Sequence, residues 1–235
     1  MAGRAAEPEV IWARPERTGR GPKPAYTRGD IAAAAVRIAD ADGLDAVSMR
    51  RVAGELGCGT MSLYNYVPRK EDLYELMVDE VSGEYDLTAP PSGDWRADMR
   101  GIARQARALL HRHAWLTRVM SSVYGSSPNA LRFLEHCLGC LESLDAPGGT
   151  KMELIAMVNG TAMMSVANEL AMAERSRSLP WTEEQEQAVR GAYLRRRLAG
   201  GEYPHLAALF TEGPPPPDAE EAFERAIERI LGGFG

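Results

Sequence analysis

The residues best suited to chemistry lie in one short stretch. Thr60, Met61, Ser62, Tyr64, Asn65 and Tyr66 are interrupted only by Leu63, with Val67 following. Small hydroxyl and amide side chains exchange hydrogen bonds with base edges, a methionine meets a thymine methyl, and tyrosine hydroxyls reach phosphates. That is recognition chemistry. The chain has no nucleophile elbow, phosphate loop or paired metal motif, so an enzyme is not expected and no cofactor is assigned. A second candidate is Cys137-x-x-Cys140, with His136 adjacent and His111 and His113 upstream. The spacing puts both sulfurs on one helical face, which leaves a thiol- or metal-responsive DNA-binding regulator as the alternative reading. Zinc requires four converging ligands, and no metal site is assigned.

These residues need helices to position them, and the chain supplies only helical periodicity between breakers, so the expected fold is all-α with about ten helices. A first helix starts at Thr27, with Asp30 placed for a capping box, and buries Ile31, Ala34, Ala35 and Ile38 before Gly43 ends it. Ser48 caps a second, with Met49, Val52, Ala53 and Leu56 inward. Gly57 and Gly59 bracket a turn, and a third helix is expected over 60–66. Ser48–Tyr66 is therefore a helix-turn-helix, in which the first helix braces on the DNA backbone and the second enters the major groove. After Pro68 a fourth helix carries Leu73, Leu76, Met77 and Val81 on one face. Asp94 caps a fifth helix, and others are expected at about 115–123, 129–144 and 151–175, the last opened by a Thr150–Glu153 capping box. Thr182 and Gln185 begin a very polar helix ending at Gly200–Gly201. Pro214–Pro217 is a rigid linker, and Asp218 caps a final apolar-faced helix. The domains expected are a flexible basic arm over 1–26, a reading head with its linking helix over 27–85, and an effector and dimer domain over 94–235.

Whole-chain charge points the other way at first. With 235 residues, a net charge of −6 and an isoelectric point of 5.4, the totals argue against a nucleic-acid binder. The distribution reverses this: residues 1–72 carry net +1 and residues 73–235 net −7. Arg14, Arg17, Arg20, Lys23 and Arg28 stand against Glu16 alone, a plausible phosphate-attracting arm that would enter the adjacent minor groove or act only through counterion release. The longest uncharged run, Leu154–Asn168, is too short to span a bilayer. No apolar leader segment opens the chain, and three cysteines make no even disulfide framework, so a cytoplasmic protein without membrane partners is expected.

The stretch from Ala46-Val47-Ser48-Met49-Arg50-Arg51 through Thr60-Met61-Ser62-Leu63-Tyr64-Asn65-Tyr66 to Lys70-Glu71-Asp72-Leu73 closely resembles the DNA-binding domain of the tetracycline-repressor (TetR) family. Trp95 and the segment His113-Ala114-Trp115, with Ala114 where proline is expected, carry a weaker likeness to that family's C-terminal domain. The resemblance implies that Arg50 reaches a guanine edge from the bracing helix. It sets Thr60, Met61, Ser62 and Tyr66 toward the groove, with Asn65 among the residues that shape operator choice, and makes Tyr64 and Lys70 phosphate contacts. Thr27 and Ser48 stand at helix N-termini, where a phosphate is favoured. Tyr66 departs from the commoner histidine and Asn65 from the bulky residue of the tetracycline repressors, so the resemblance carries over the mode of binding and not the operator sequence.

The same resemblance implies an effector pocket walled by Ile102, Ala106, Met120, Phe133, Cys137, Met152, Ile155 and Asn159. Ile102 and Met120 stand where tetracycline repressors hold polar drug and metal contacts, so a small hydrophobic effector is expected rather than tetracycline with magnesium. It further implies a homodimer, built on helix 151–175 and the last helix, that sets two recognition helices on a palindromic double-stranded operator. An effector would shift the fourth helix and release the DNA. A DNA binder with no effector would instead have a solid core in this half.

Overall fold

The computed structural model describes residues 10–14, 26–120, 125–212 and 218–234. Eleven α-helices and two short 3-10 turns, with no strand, make up the architecture among these residues. The helices are α1 (Arg28–Asp42), α2 (Met49–Glu55), α3 (Thr60–Tyr64), α4 (Lys70–Ser82), α5 (Trp95–Arg112), α6 (Leu116–Val119), α7 (Pro128–Cys140), α8 (Gly148–Ser178), α9 (Glu183–Leu198), α10 (Pro204–Glu212) and α11 (Ala219–Gly232).

Local chemistry sets most of the boundaries. Thr27 and Asp30 form the expected capping box, and Gly43, at φ 83°, ends α1 in a conformation open to glycine. Ser48 accepts from the Arg51 N–H, Asp94 from those of Arg96 and Ala97, and Asp218 from that of Glu221. Thr182 and Gln185 also cap each other. Thr150 and Glu153 do not: α8 starts earlier, at Gly148 behind Pro147, so both residues lie inside it. Proline holds the extended conformation that a helix N-cap needs, and this moves the start back. Helix α10 is unanticipated; Pro204 opens it in a stretch whose two glycines, Gly200 and Gly201, look like the approach to a loop. Helix α6 is short, and residues 121–123 of the helix expected there lie outside the described residues, as do the basic segment 17–24 and the Pro214–Pro217 linker.

Helices α1–α4 enclose one core, with Ile31, Ala35, Val52, Leu63, Val67, Leu73 and Met77 buried. Helices α5, α7, α8 and α11 enclose the other around Met99, Cys137, Leu154, Val158, Phe223 and Ile227. Helix α4 belongs to both. The two parts are also clasped where α5 ends. Asp40 of α1 accepts from Trp115 Nε1 and faces His113 Nδ1, each at 2.8 Å, and Arg118 makes a two-pronged pair with Asp45. Outlying α9 and α10 bury none of their described residues, and Tyr193, Leu206, Leu209 and Phe210 stay exposed.

One piece of the expected arm is seated. Ile11–Ala13 forms a 3-10 turn with Ile11 only 1% exposed. Trp12 Nε1 donates to Glu75 of α4 at 3.1 Å, and Arg28 Nη1 donates to the Ile11 and Arg14 carbonyls at 2.9 Å. A flexible arm over the whole of 1–26 therefore does not describe residues 10–14, because an isoleucine, a tryptophan and two carbonyls find partners on α1 and α4. An Ile11→Ala chain is expected to lose about 2–5 kcal/mol of stability in urea unfolding. An unchanged midpoint would show that this turn adds nothing to the head.

Candidate functional site

The first candidate surface is made by α2 and α3. Leu63 and Val67 are fully buried and pin α3 to the head, which turns the other side outward. Met61 is 78% exposed; Ser62, Tyr64 and Asn65 are exposed, and Thr60 and Tyr66 are half-buried. Gly57, at φ 65°, makes the turn that sets α3 across α2. Arg50 is exposed on α2 and pairs with no side chain among the described residues, whereas its neighbour Arg51 is paired to Asp42. An unpaired guanidinium keeps its full fork of donors for an incoming acceptor.

Tyr26 supports this face, and sequence reading left it in the arm. It is buried, its ring lies 5.1 Å from that of Tyr66, and its hydroxyl donates to Ser62 Oγ at 2.5 Å. Ser62 accepts this bond and so keeps its own proton to donate outward. The signal was faint: one aromatic next to a helix cap. Ser48 likewise only accepts, from Arg51, and keeps its proton. Lys70 is exposed, its ammonium 5.4 Å from the Tyr74 ring centre.

Thr27 is engaged within its own helix end. Its N–H and its hydroxyl both donate to Asp30 Oδ2, at 2.7 Å. These bonds hold the Asp30 carboxyl below its ordinary range. The N-terminus of α1 is thus already occupied by a carboxylate, and both Thr27 donors are spent within the helix, which disfavours a phosphate there.

The second candidate is a cavity between α4, α5, α7 and α8. It has two chambers, of about 40 and 190 Å³, which share Val78, Ser82, Tyr85, Met120 and Asn159. Ala106, Leu109, Leu110 and Leu116 close the smaller; Ser127, Ala130, Phe133 and Leu134 close the larger. The Tyr85 and Phe133 rings stand 4.5 Å apart. Burial pushes the Tyr85 phenol well above its ordinary value, so it stays a neutral donor.

Of the eight residues expected to wall an effector pocket, Ala106, Met120, Phe133 and Asn159 line this cavity. The other four do not. Ile102, Cys137 and Ile155 are buried but do not line it, and Met152 is exposed on α8. The wall at the end of α4 was missed: Val78 and Ser82, four residues apart, form a stripe beside the Leu73, Leu76, Met77 and Val81 face that packs on the head, and Tyr85 continues it just past the helix end. A serine and a tyrosine on that stripe read as surface when the opposing helices are unknown.

The thiol alternative finds no support in this geometry. Cys137 and Cys140 are buried, and burial, then the neighbouring Cys140, pushes the Cys137 thiol up to about 12. Such a thiol is poorly nucleophilic. No cluster of three or more His, Cys, Asp or Glu residues able to hold a metal occurs among the described residues. At neutral pH a thiol-specific reagent is expected to label half-buried Cys58 well before Cys137 and Cys140; rapid labelling of Cys137 would restore the thiol-responsive reading. No helix among the described residues is long and apolar enough to cross a membrane.

Comparison with known proteins finds matches to both parts of the chain. The family model for bacterial regulatory proteins of the tetR family matches residues 31–77, and that for the tetracyclin repressor-like C-terminal domain matches residues 87–235. The HTH-type transcriptional repressor DrrR1 of Streptomyces coeruleorubidus is 37% identical over 227 residues, covering 96% of this chain and 83% of that protein. An HTH-type transcriptional regulator of Saccharopolyspora erythraea is 31% identical over 231 residues, 97% of this chain and 92% of its own. Among solved structures, the Streptomyces coelicolor TetR family protein ActR in complex with actinorhodin superposes with a TM-score of 0.74 at 28% identity, covering 89% of this chain and 96% of that one. Apo ActR gives 0.72 at 26% identity with the same coverage. A helix-turn-helix head and an all-helical body, each matched by its own family model, place the chain in the tetR family of bacterial regulatory proteins, with a tetracyclin repressor-like C-terminal domain.

Proposed function

We propose that this chain is a sequence-specific DNA-binding transcriptional repressor that works as a homodimer on a palindromic operator and is released by a small hydrophobic effector. The observation that carries this reading is the placement of α4. Its first turns belong to the reading head, and its last turns, with Tyr85 beyond them, wall the apolar cavity. In this reading residues 27–85 are the head and residues 94–235 the effector and dimer body, with Arg50, Ser48, Thr60, Met61, Ser62, Tyr64, Asn65, Tyr66 and Lys70 on the DNA.

The cavity supports an effector that is mostly apolar with a few polar atoms. Its walls are leucine, valine, alanine, methionine and phenylalanine, and its polar groups are the Asn159 amide, the Tyr85 phenol and two serines. ActR is a relative seen with actinorhodin bound, which makes compounds of that kind the first to try. At 40 and 190 Å³ the chambers are smaller than the ~300 Å³ at which ligand pockets begin. The walls must therefore part on binding, and an effector that favours the parted state lowers the population able to grip DNA.

Dimerisation is proposed on α8 and α11. Met157, Gly160, Thr161, Met164 and Asn168 of α8 line an open groove with Ala222 and Ala226 of α11. Met164 is 62% exposed in the single chain, an arrangement that suits a four-helix interface.

Footprinting on DNA upstream of the chain's own gene tests the whole. A protected segment with dyad symmetry, lost on adding actinorhodin or another apolar aromatic compound, is the expected result. Binding that shows no sequence preference would overturn the assignment of the α3 face. Binding unaffected by any compound, together with an Asn159→Leu chain that behaves like the parent, would leave a DNA binder without an effector.

A further inference from the structure

Helix α7 lacks a cap of its own. Ser127 stands at its N-cap and makes no side-chain cap bond, although it is buried. The cap comes from another helix. Asp79 of α4, 8% exposed, accepts the Asn129 N–H at 2.7 Å on one carboxylate oxygen and Asn129 Nδ2 at 3.1 Å on the other. Asn129 Nδ2 also donates to the Asp79 carbonyl at 3.0 Å. A carboxylate on the N-terminus of a helix is favoured by the helix dipole, and bonds to a charged acceptor are the stronger kind. Position 83 shows how close the two helices come: a Cβ on Gly83 would stand 3.0 Å from Asn129 Nδ2.

This joint borders the cavity. Val78 and Ser82, on either side of Asp79 along α4, and Ser127 and Ala130, on either side of Asn129 along α7, all line the larger chamber. Parting the walls for a ligand therefore has to load the place where α4 and α7 are joined. At its other end the head is held to the body by Asp40 with Trp115 and His113, and by Asp45 with Arg118, none of which lines the larger chamber.

We propose that the Asp79–Asn129 joint is the element that transmits cavity occupancy to the reading head. While it is closed, α7 holds α4 in the orientation seen here. When the cavity fills, α7 moves, its borrowed cap is lost or rotated, and α4 carries the head about the Asp40–Trp115 clasp. Asp79 and Asn129 are positioning residues and contact neither DNA nor effector. The proposal rests on the effector-responsive reading above but is tested without DNA or effector.

The test measures the distance from head to body within one full-length chain. Spin labels go on Gly54→Cys, where a side chain meets nothing within 4 Å, and on Glu142→Cys, which is exposed, in a Cys58→Ser background. Labelled chains are diluted with unlabelled ones so that only the intrachain distance is read. Asn129→Asp, which sets two carboxylates against each other, is expected to shift or broaden the distance by about 2 Å or more. The exchanged pair, Asp79→Asn with Asn129→Asp, is expected to restore it. Ala106→Phe, or Ala106→Leu where the larger residue prevents folding, fills the smaller chamber from the far wall and stands in for a ligand. It is expected to shift the distance when the joint is intact and to add little to Asn129→Asp. A distance unmoved by Asn129→Asp, with only the unfolding midpoint lowered, would make the joint a plain helix cap and overturn the proposal. Equal, additive shifts from Ala106→Phe with and without the joint would also overturn it. A joint that moves the head while operator affinity stays constant would instead refute the effector-release reading.

Discussion

An Arg50→Ala chain is expected to lose sequence-specific DNA binding and to remain a folded dimer. Arg50 is exposed on α2 beside the α3 face and is paired with no described side chain, so removing it disturbs no contact within the protein. A bidentate arginine–guanine contact contributes about 1–3 kcal/mol of discrimination, and a dimer makes it twice. The summed loss corresponds to roughly thirtyfold or more in affinity for the operator, with little change on unrelated DNA. Arg51→Ala is the control: its guanidinium is engaged with Asp42, so a much smaller effect is expected. Gel shifts on specific and unrelated sequences, with sedimentation to confirm the dimer, read both. Undiminished affinity in Arg50→Ala would remove α2 from the base-reading surface. Tyr66→Ala should show a comparable loss for a compound reason, since it removes a groove-facing group and the ring that packs, tilted, against Tyr26.

The second large effect is expected from Met164→Asp. The side chain stands in the α8–α11 groove, among small residues that let another helix approach closely. A carboxylate there would be buried without a partner in a dimer, at a cost of several kcal/mol, while in a separated chain it faces water. The variant should sediment as a monomer with an unchanged helical circular dichroism spectrum. Its operator affinity should fall by ~10²–10⁴, because the second half-site contact no longer has the benefit of tethering. An intact dimer would move the interface elsewhere, and the exposed Leu206, Leu209 and Phe210 of α10 would be the next surface to probe.

How much of this was legible in the sequence depended on the range of the interaction involved. The caps at Thr27, Ser48, Asp94, Thr182 and Asp218 are bonds between residues two or three positions apart, and spacing alone revealed them. Leu63 and Val67 as anchors of the recognition helix were readable because the surrounding polar residues leave only those two positions for a core. The start of α8 was misplaced because two signals competed locally: Thr150–Glu153 has the form of a capping box, and Pro147 three residues earlier took the role. Thr27 shows a related competition, since Asp30, the residue that makes it a good cap, also sets a carboxylate at the same helix end.

The cavity shows the other side. Ala106, Met120, Phe133 and Asn159 reach it, whereas Ile102, Cys137 and Ile155 are as apolar and as inward and do not. An inward helical position fixes burial and leaves open which of several neighbouring helices it meets. Nor could spacing show that Asp79 caps a helix fifty residues later or that Asp40 receives Trp115. By itself the sequence determined most of the helices, their order and the helix-turn-helix with its outward face, because 3.6-residue periodicity and capping act over one or two turns. Only the tertiary structure decided where the chain leaves empty space and which polar groups join head to body. Those depend on side chains far apart in sequence, brought together by the packing of whole helices.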